Sequence, residues 1–263
     1  MKKRTLRLIA SLFIVACCQA LAAQAGSVSQ AQSPAAGVHF LGHASFRVFD
    51  GTSAIYIDPW FFEGPDRAKK PALRADQITD ATLVALTHEH WDHLDKAGLA
   101  TIMQKTNARI AAPEKVLAIL QPLFGDRLIP LNPGQSVIEG RFTITAVPSG
   151  SIQGFLVRTP QGATLFFSGD EFSWASGAVE AVKAAGRSVD VAFLAVADSR
   201  EFPATLESFR RFVTEIKPKL VVPMHEGTFT DYKGADHPAY EPIVAAIGGT
   251  YQVLDVGGIL PLK

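Results

Sequence analysis

The densest chemistry in the chain lies between positions 88 and 93, in His88-Glu89-His90-Trp91-Asp92-His93. Three of its seven histidines stand there beside an aspartate, directly after the apolar β-type run Leu83 to Thr87. His88 and His90 are two apart, so in extended backbone their imidazoles point to the same side. Asp92 and His93 follow where the chain is expected to turn into a helix, and that turn brings two further donors back. Four nitrogen and oxygen donors converging from a strand end and a helix start suit a borderline cation such as zinc. The order excludes the His-Glu-x-x-His signature of helical metalloproteases, because Asp92 stands four residues after His88. The bland alternative is a solvated, histidine-rich turn with no ligand.

The pattern His-x-His-x-Asp-His resembles the histidine–aspartate motif of the metallo-β-lactamase superfamily, complete here as His88, His90, Asp92 and His93. The resemblance runs over nearly all of residues 37–263. It is nearest to the branch containing ascorbate-6-phosphate lactonase and the phospholipase D that hydrolyses N-acylphosphatidylethanolamine. Leu165-Phe-Phe-Ser-Gly-Asp170 is an apolar strand ending in a carboxylate, at the strand edge where α/β proteins gather ligands. It is similar to the family's Gly-Asp-Thr motif, with Glu171 in place of the threonine; by itself Asp170 equally suits a helix N-cap. Leu220-Val-Val-Pro-Met-His225 repeats the strand-then-histidine design and matches a Pro-x-His segment of the family.

The resemblance implies an α/β fold, a four-layer αββα sandwich. It implies His88, His90, Asp92, His93, Asp170 and His225 as metal ligands, with Asp170 shared between two ions and Asp92 also the catalytic group at the attacking water. His43, in a Gly-His-Ala turn, is implied to line the cleft; the local alternative is a histidine satisfied by a backbone carbonyl. Asp198 and Arg200 fall where relatives carry a substrate-facing loop, although solvated loop charges account for them equally well. Trp60, Phe61, Phe62 and Trp91 are candidates for an apolar wall, against the commoner role of aromatics in a core.

One departure bears on mechanism. The family places a further histidine after the strand Phe142 to Val147, and here Pro148-Ser-Gly-Ser151 stands in its place. One cation position therefore keeps Asp92, His93, His225 and Asp170, while the other is left with His88, His90 and Asp170 unless His43, a serine or water completes it. A catalytically impaired metal- or ligand-binding protein on the same fold is the alternative to a hydrolase.

The elements needed to position these residues are legible as short β-type runs at 38–49, 53–57, 83–87, 109–112, 127–131, 141–147, 154–159, 163–168, 189–196 and around 220. Helical spacing marks 94–105, where Leu94, Leu99, Ile102 and Met103 share a face, then 113–120, 204–216 and 240–247. On this reading Asp92 and His93 sit at the N-terminus of the 94–105 helix, where the dipole favours an anion.

The remaining composition narrows the function. Residues 1–25 have a basic start, an apolar run and Ala23-Gln-Ala25, the pattern of a cleaved signal peptide; Ile14-Val-Ala-Cys17 offers a lipoprotein anchor instead. Residues 26–37 read as a linker and 38–263 as one domain. Both cysteines, Cys17 and Cys18, lie in the leader, so the domain has no thiol ligand or nucleophile. Without Lys2, Lys3, Arg4 and Arg7 the balance is 21 basic against 25 acidic residues, which gives nucleic acid little purchase. The chain holds no Gly-x-Ser-x-Gly nucleophile setting and no glycine-rich phosphate loop. The expectation is a periplasmic or secreted hydrolase with one or two ions, zinc first and manganese or iron as alternatives. Metal-bound hydroxide would cleave an ester, lactone or phosphodiester in a small molecule or lipid, and no protein partner is implied.

Overall fold

Period-two alternation along the strands dictates the layering. In the strand Ala54–Ile57, Ile55 and Ile57 join one apolar cluster while Ala54 and Tyr56 join another. In Ala81–Ala85, Leu83 and Ala85 go one way and Val84 the other. A strand apolar on both faces must be covered on both. The computed structural model describes residues 35–230 and 234–262, within a unit that begins at Pro34. The leader and Cys17 lie outside the described residues.

The first sheet holds β1 (Gly37–Gly42), β2 (Ser45–Phe49), β3 (Ala54–Ile57), β4 (Ala81–Ala85), β5 (Arg109–Ala112) and β6 (Leu128–Pro130), with β14 (Ile259–Pro261) on the edge beside β1. The second holds β7 (Ser136–Glu139), β8 (Phe142–Ser149), β9 (Ile152–Arg158), β10 (Thr164–Phe167), β11 (Val191–Ala195), β12 (Leu220–Met224) and β13 (Thr250–Tyr251). Each sheet is antiparallel on one side and parallel on the other. In the first the change comes at β3, antiparallel to β2 and parallel to β4. In the second it comes at β10, antiparallel to β9 and parallel to β11.

Parallel neighbours need long crossovers. Helices α1 (Lys96–Lys105) and α2 (Glu114–Phe124) supply them on the outside of the first sheet, where Leu99, Ile102, Val116 and Leu120 pack on Tyr56, Val84 and Ile110. Helices α3 (Ala175–Ala184), α4 (Pro203–Ile216) and α5 (His237–Ala245) cover the second, with Phe212 stacked on Phe166 at 4.4 Å. Between the sheets Phe46 meets Phe193 at 4.7 Å and Phe167 at 5.2 Å. The architecture is the αββα sandwich.

Three details differ from the sequence expectation. β7 has alternate side chains exposed and carries too weak an apolar signal to be seen. α2 continues past Leu120 through Pro122. α1 starts at Lys96, because Asp95 caps it through Gly98 N at 2.8 Å. Asp92 and His93 therefore lie in the turn before the helix, closed by His93 N and Leu94 N on His90 O.

Candidate metal centre

The carboxyl ends of β3, β4, β10 and β12 meet at one point. Asp58 follows β3, Thr87 and His88 follow β4, Gly169 and Asp170 follow β10, and His225 follows β12. The backbone is strained there: His43 (φ +61°), Asp58 (+41°) and His225 (+68°) are left-handed without being glycine. Such residues persist where the surroundings over-determine them. His225 N is held on His43 O at 2.9 Å and Asp58 N on Ala85 O at 3.0 Å. Gly169 cannot be replaced cheaply, because its φ of +68° is left-handed and a Cβ there would meet the backbone oxygen of Gln153 at 3.2 Å.

Asp170 is the hub. Its Oδ1 lies 3.2 Å from His88 Nε2, and its Oδ2 lies 3.1 Å from His225 Nε2 and 3.4 Å from His93 Nε2. Asp92 Oδ2 is 3.6 Å from His225 Nε2. Two groups of potential ligand atoms each fall within 4.8 Å: His43, Asp92, His93 and His225, and His88, His93 and Asp170. The Nε2 atoms of His88, His93 and His225 are buried and make no hydrogen bond. Buried polar atoms are almost always partnered, so three orphaned imidazole nitrogens around one carboxylate fit a divalent cation.

Comparison with known proteins agrees. The Beta-lactamase superfamily domain matches residues 53–225, a span from the start of β3 to His225. The chain belongs to the metallo-β-lactamase superfamily. Among its relatives are UPF0173 metal-dependent hydrolases of Thermococcus kodakarensis, 30% identical over 204 residues, and of Pyrococcus abyssi, 29% identical over 204 residues. Each alignment covers 73% of this chain and 85% of the relative. The superfamily fold is also that of Igni18, a metallo hydrolase from Ignicoccus hospitalis, with a TM-score of 0.65 at 22% identity over 87% of this chain and 98% of that one. It recurs in an isothiocyanate hydrolase from Delia radicum gut bacteria, with a TM-score of 0.66 at 14% identity over 86% and 99%.

The metallo-β-lactamase centre of this chain is braced from behind by residues the sequence did not single out. Asp58 Oδ2 accepts from His93 Nδ1 at 2.8 Å and from Thr87 Oγ1 at 2.6 Å, and its Oδ1 accepts from Thr87 N at 2.8 Å. Having given its hydrogen to Asp58, Thr87 Oγ1 accepts from His88 Nδ1 at 2.9 Å. Both Nδ1 atoms are thus committed, and both Nε2 atoms face the centre. The sequence signal for Asp58 was an Asp-Pro turn at a strand end, which many turns share.

The protonation states follow. Burial pushes His88 down to about 4, helped by His93 beside it. Burial also works against charge on His93 and His225, but flanking carboxylates overcome it and both are raised, Asp58 and Asp170 for His93, Asp170 and Asp92 for His225. Burial alone would raise Asp92 and Asp170. The imidazoles beside them, His225 and His43 for Asp92, His225 and His93 for Asp170, hold both well below the usual carboxylate range. Without a cation, protons occupy the places a cation would take.

His43 does not line the cleft. It is buried behind Asp92, with Nε2 on Asp92 Oδ2 at 3.1 Å and Nδ1 on Thr228 Oγ1 at 3.0 Å. A carboxylate only accepts, so Nε2 carries the hydrogen and Nδ1 accepts from Thr228; burial, with His225 next, lowers the ring to about 3. His43 positions Asp92 and has no lone pair left for a cation. His90 is exposed and belongs to neither ligand group; its ring stands edge-on to His88 at 4.3 Å. Asp198 and Arg200 bind each other, Nη2 to Oδ2 at 2.8 Å and Nε to Oδ1 at 3.1 Å, and neither reaches the cleft wall. The expected aromatic wall also lies elsewhere: Trp60 packs on His43 and Trp91, away from the cleft.

The centre opens on a cleft of about 610 Å³ with His88, Asp170 and His225 on its walls. Ile152, Val196, Phe172 and Phe202 make it apolar, the last two stacked at 5.0 Å. The segment that lacks the family histidine borders it. Ser149 is buried, with Oγ turned to Ser168 O, and Ser151 is tied through N and Oγ to Glu171. Both serine hydroxyls are turned to protein acceptors.

Proposed function

We propose that this metal-dependent hydrolase cleaves the ester or lactone bond of an uncharged, apolar small molecule or lipid. The observation that carries the reading is the trio of buried, unpartnered imidazole nitrogens facing Asp170. A divalent cation bound there, zinc by the imidazole-rich donor set and manganese or iron otherwise, supplies Lewis acidity and acidifies a water molecule. Residues Asp92, His93, His225, His88 and Asp170 would hold it. Asp92, kept anionic, receives the proton of the attacking water at a carboxylate oxygen, while His43 fixes that carboxylate's direction. Ile152, Val196 and Phe202 exclude water around an acyl chain.

Acyl transfer is favoured over phosphoryl transfer by the charge of the cleft. Its walls carry Glu89, Asp170, Glu171 and Glu226. Lys115 is the one lysine or arginine among the described wall residues, and it is paired with Glu89. Beyond the cation and its ligand Asp170, an anionic group extending along the cleft would meet walls of its own sign. The leader pattern supports the periplasm or medium as the site of action.

The test is metal analysis of the purified protein, then hydrolysis of chromogenic acyl esters and lactones beside a phosphodiester, with and without chelator. Chelator-sensitive turnover of the acyl substrates, lost in Asp92→Ala, is the expected result. Bound metal without turnover of any of them would establish the catalytically impaired binding protein instead, a reading favoured by the three-donor group around His88.

A further inference from the structure

We infer that Gln153 supplies the missing donor beside His88 and Asp170 Oδ1, completing a second, oxygen-richer cation position. The inference rests on the metal-dependent reading above. His93 falls in both groups, but with Nδ1 on Asp58 its one free lone pair, at Nε2, can serve only one of them, and the groups are unequal. One has Asp92 and His225 with Asp170 Oδ2 at hand, whereas the other has only His88 and Asp170 Oδ1. The side chains offered for the gap have partners, Ser149 on Ser168 O, Ser151 on Glu171 and His43 on Asp92, and exposed His90, although on the cleft wall, falls in neither ligand group.

Gln153 is 2% exposed and stands on the cleft wall with His88 and Asp170, yet its Oε1 has no partner. Its Nε2 donates to Leu86 O at 3.4 Å, two residues before His88. A carbonyl accepts only from the nitrogen end of the amide, so this contact fixes the orientation and leaves Oε1 as the unsatisfied end. The backbone holds it close. A Cβ at the next residue, Gly154, would lie 2.4 Å from Phe167 O, so β9 is drawn against the end of β10 that delivers Asp170. An amide carbonyl is a neutral, hard donor with no proton to lose, suited to a divalent cation and to manganese more than an imidazole is.

The experiment titrates zinc alone into stripped protein against a competing chelator. Wild-type protein is expected to bind two equivalents of unequal affinity. Gln153→Ala should weaken the weaker equivalent by about tenfold or more and leave the tighter one within twofold. Gln153→Glu, which keeps an oxygen at the same reach and adds charge, should tighten it, and decides the matter if the alanine variant fails to fold. Unchanged affinities in both variants, or a raised KM with unchanged metal binding, would overturn the assignment and make the amide a contact for substrate. Failure of the hydrolase reading shows separately, as wild-type protein that binds no zinc or turns nothing over.

Discussion

The two sheets deliver their donors to the centre by different means. From the first sheet, His93 is aimed by a hydrogen bond to Asp58, His88 by one that runs through Thr87 to Asp58, and Asp92 by His43, itself held by Thr228. From the second, Asp170 and His225 are aimed by backbone: left-handed Gly169 just before Asp170, and a left-handed His225 tied to His43 O. The first side controls which nitrogen carries a hydrogen. The second controls where the donor sits. Damage to the first should therefore appear as lost metal affinity, and damage to the second as lost stability with affinity kept.

The largest effects belong to the residues where the two sides meet. Asp92→Ala and Asp170→Ala should each lower kcat/KM by about 10²–10⁴-fold. The two separate by metal content: Asp170 faces all three orphaned imidazoles and its loss should strip both positions, whereas Asp92→Ala should retain metal at His88 and Asp170. Equal metal content in the two variants would remove Asp170 from the hub.

The sharpest test of the contrast pairs one change on each side. Asp58→Asn should cut zinc affinity by about 10–100-fold, because it blunts the partner that sets His93 and, through Thr87, His88. It should also cost the cation-free protein stability, because buried Asp58 faces the charge it raises on His93, so the contrast is read in zinc affinity. Gly169→Ala should leave zinc affinity within a few-fold while destabilising by about 1–3 kcal/mol through its left-handed backbone. If both variants lose zinc affinity alike, the division between the sides fails.

A smaller effect is the pH dependence of stability in the cation-free protein. His43 and His88 are lowered to about 3 and about 4, against ~6.5 in an unfolded chain. The unfolded state then binds more protons below ~6.5, so their contribution is lost as pH falls toward those values. His93 and His225 are raised, so theirs is complete below ~6.5 and lost as pH climbs through the raised values. Melting temperature without cation should peak near pH ~6.5, and zinc should lift the alkaline limb most, because it replaces the imidazole protons. A flat alkaline limb without zinc would contradict the placement of His93 between Asp58 and Asp170.

What the sequence revealed was local in origin. His88, Asp92, His93, Asp170 and His225 stand at the ends of apolar runs, and a polar ligand type at such a place is conspicuous without knowledge of the fold. Strands that pack on both faces, such as β10 and β11, were equally plain. Asp58 and Gln153 were not, because their roles exist only through residues distant in the chain. Asp58 acts on His93 across 35 positions, and a glutamine in a strand looks the same whether its amide faces solvent or a cation. His43 was marked as functional for its turn but given the wrong task, since only packing shows that it stands behind Asp92. The onset of α1 was misjudged because the Leu94 periodicity outweighed the cap at Asp95.

The smallest effect expected is at Arg200, and it tests whether position in the chain alone can assign a substrate contact. The loop after β11 borders the cleft through Val196 and Ala197, then turns away. Asp198 spends both carboxylate oxygens on Arg200, and also accepts from Arg200 N at 2.9 Å. The Arg200 side chain is 79% exposed while Asp198 is buried, and a guanidinium in solvent adds little to the field at a site behind it. Arg200→Ala should therefore leave kcat/KM for an uncharged ester within twofold, at low and at high salt. A tenfold loss that vanishes at high salt would mean that the guanidinium leaves Asp198 to meet a substrate carrying negative charge. The uncharged substrate proposed from the cleft's acidic walls would then be wrong, although the cation centre itself would stand.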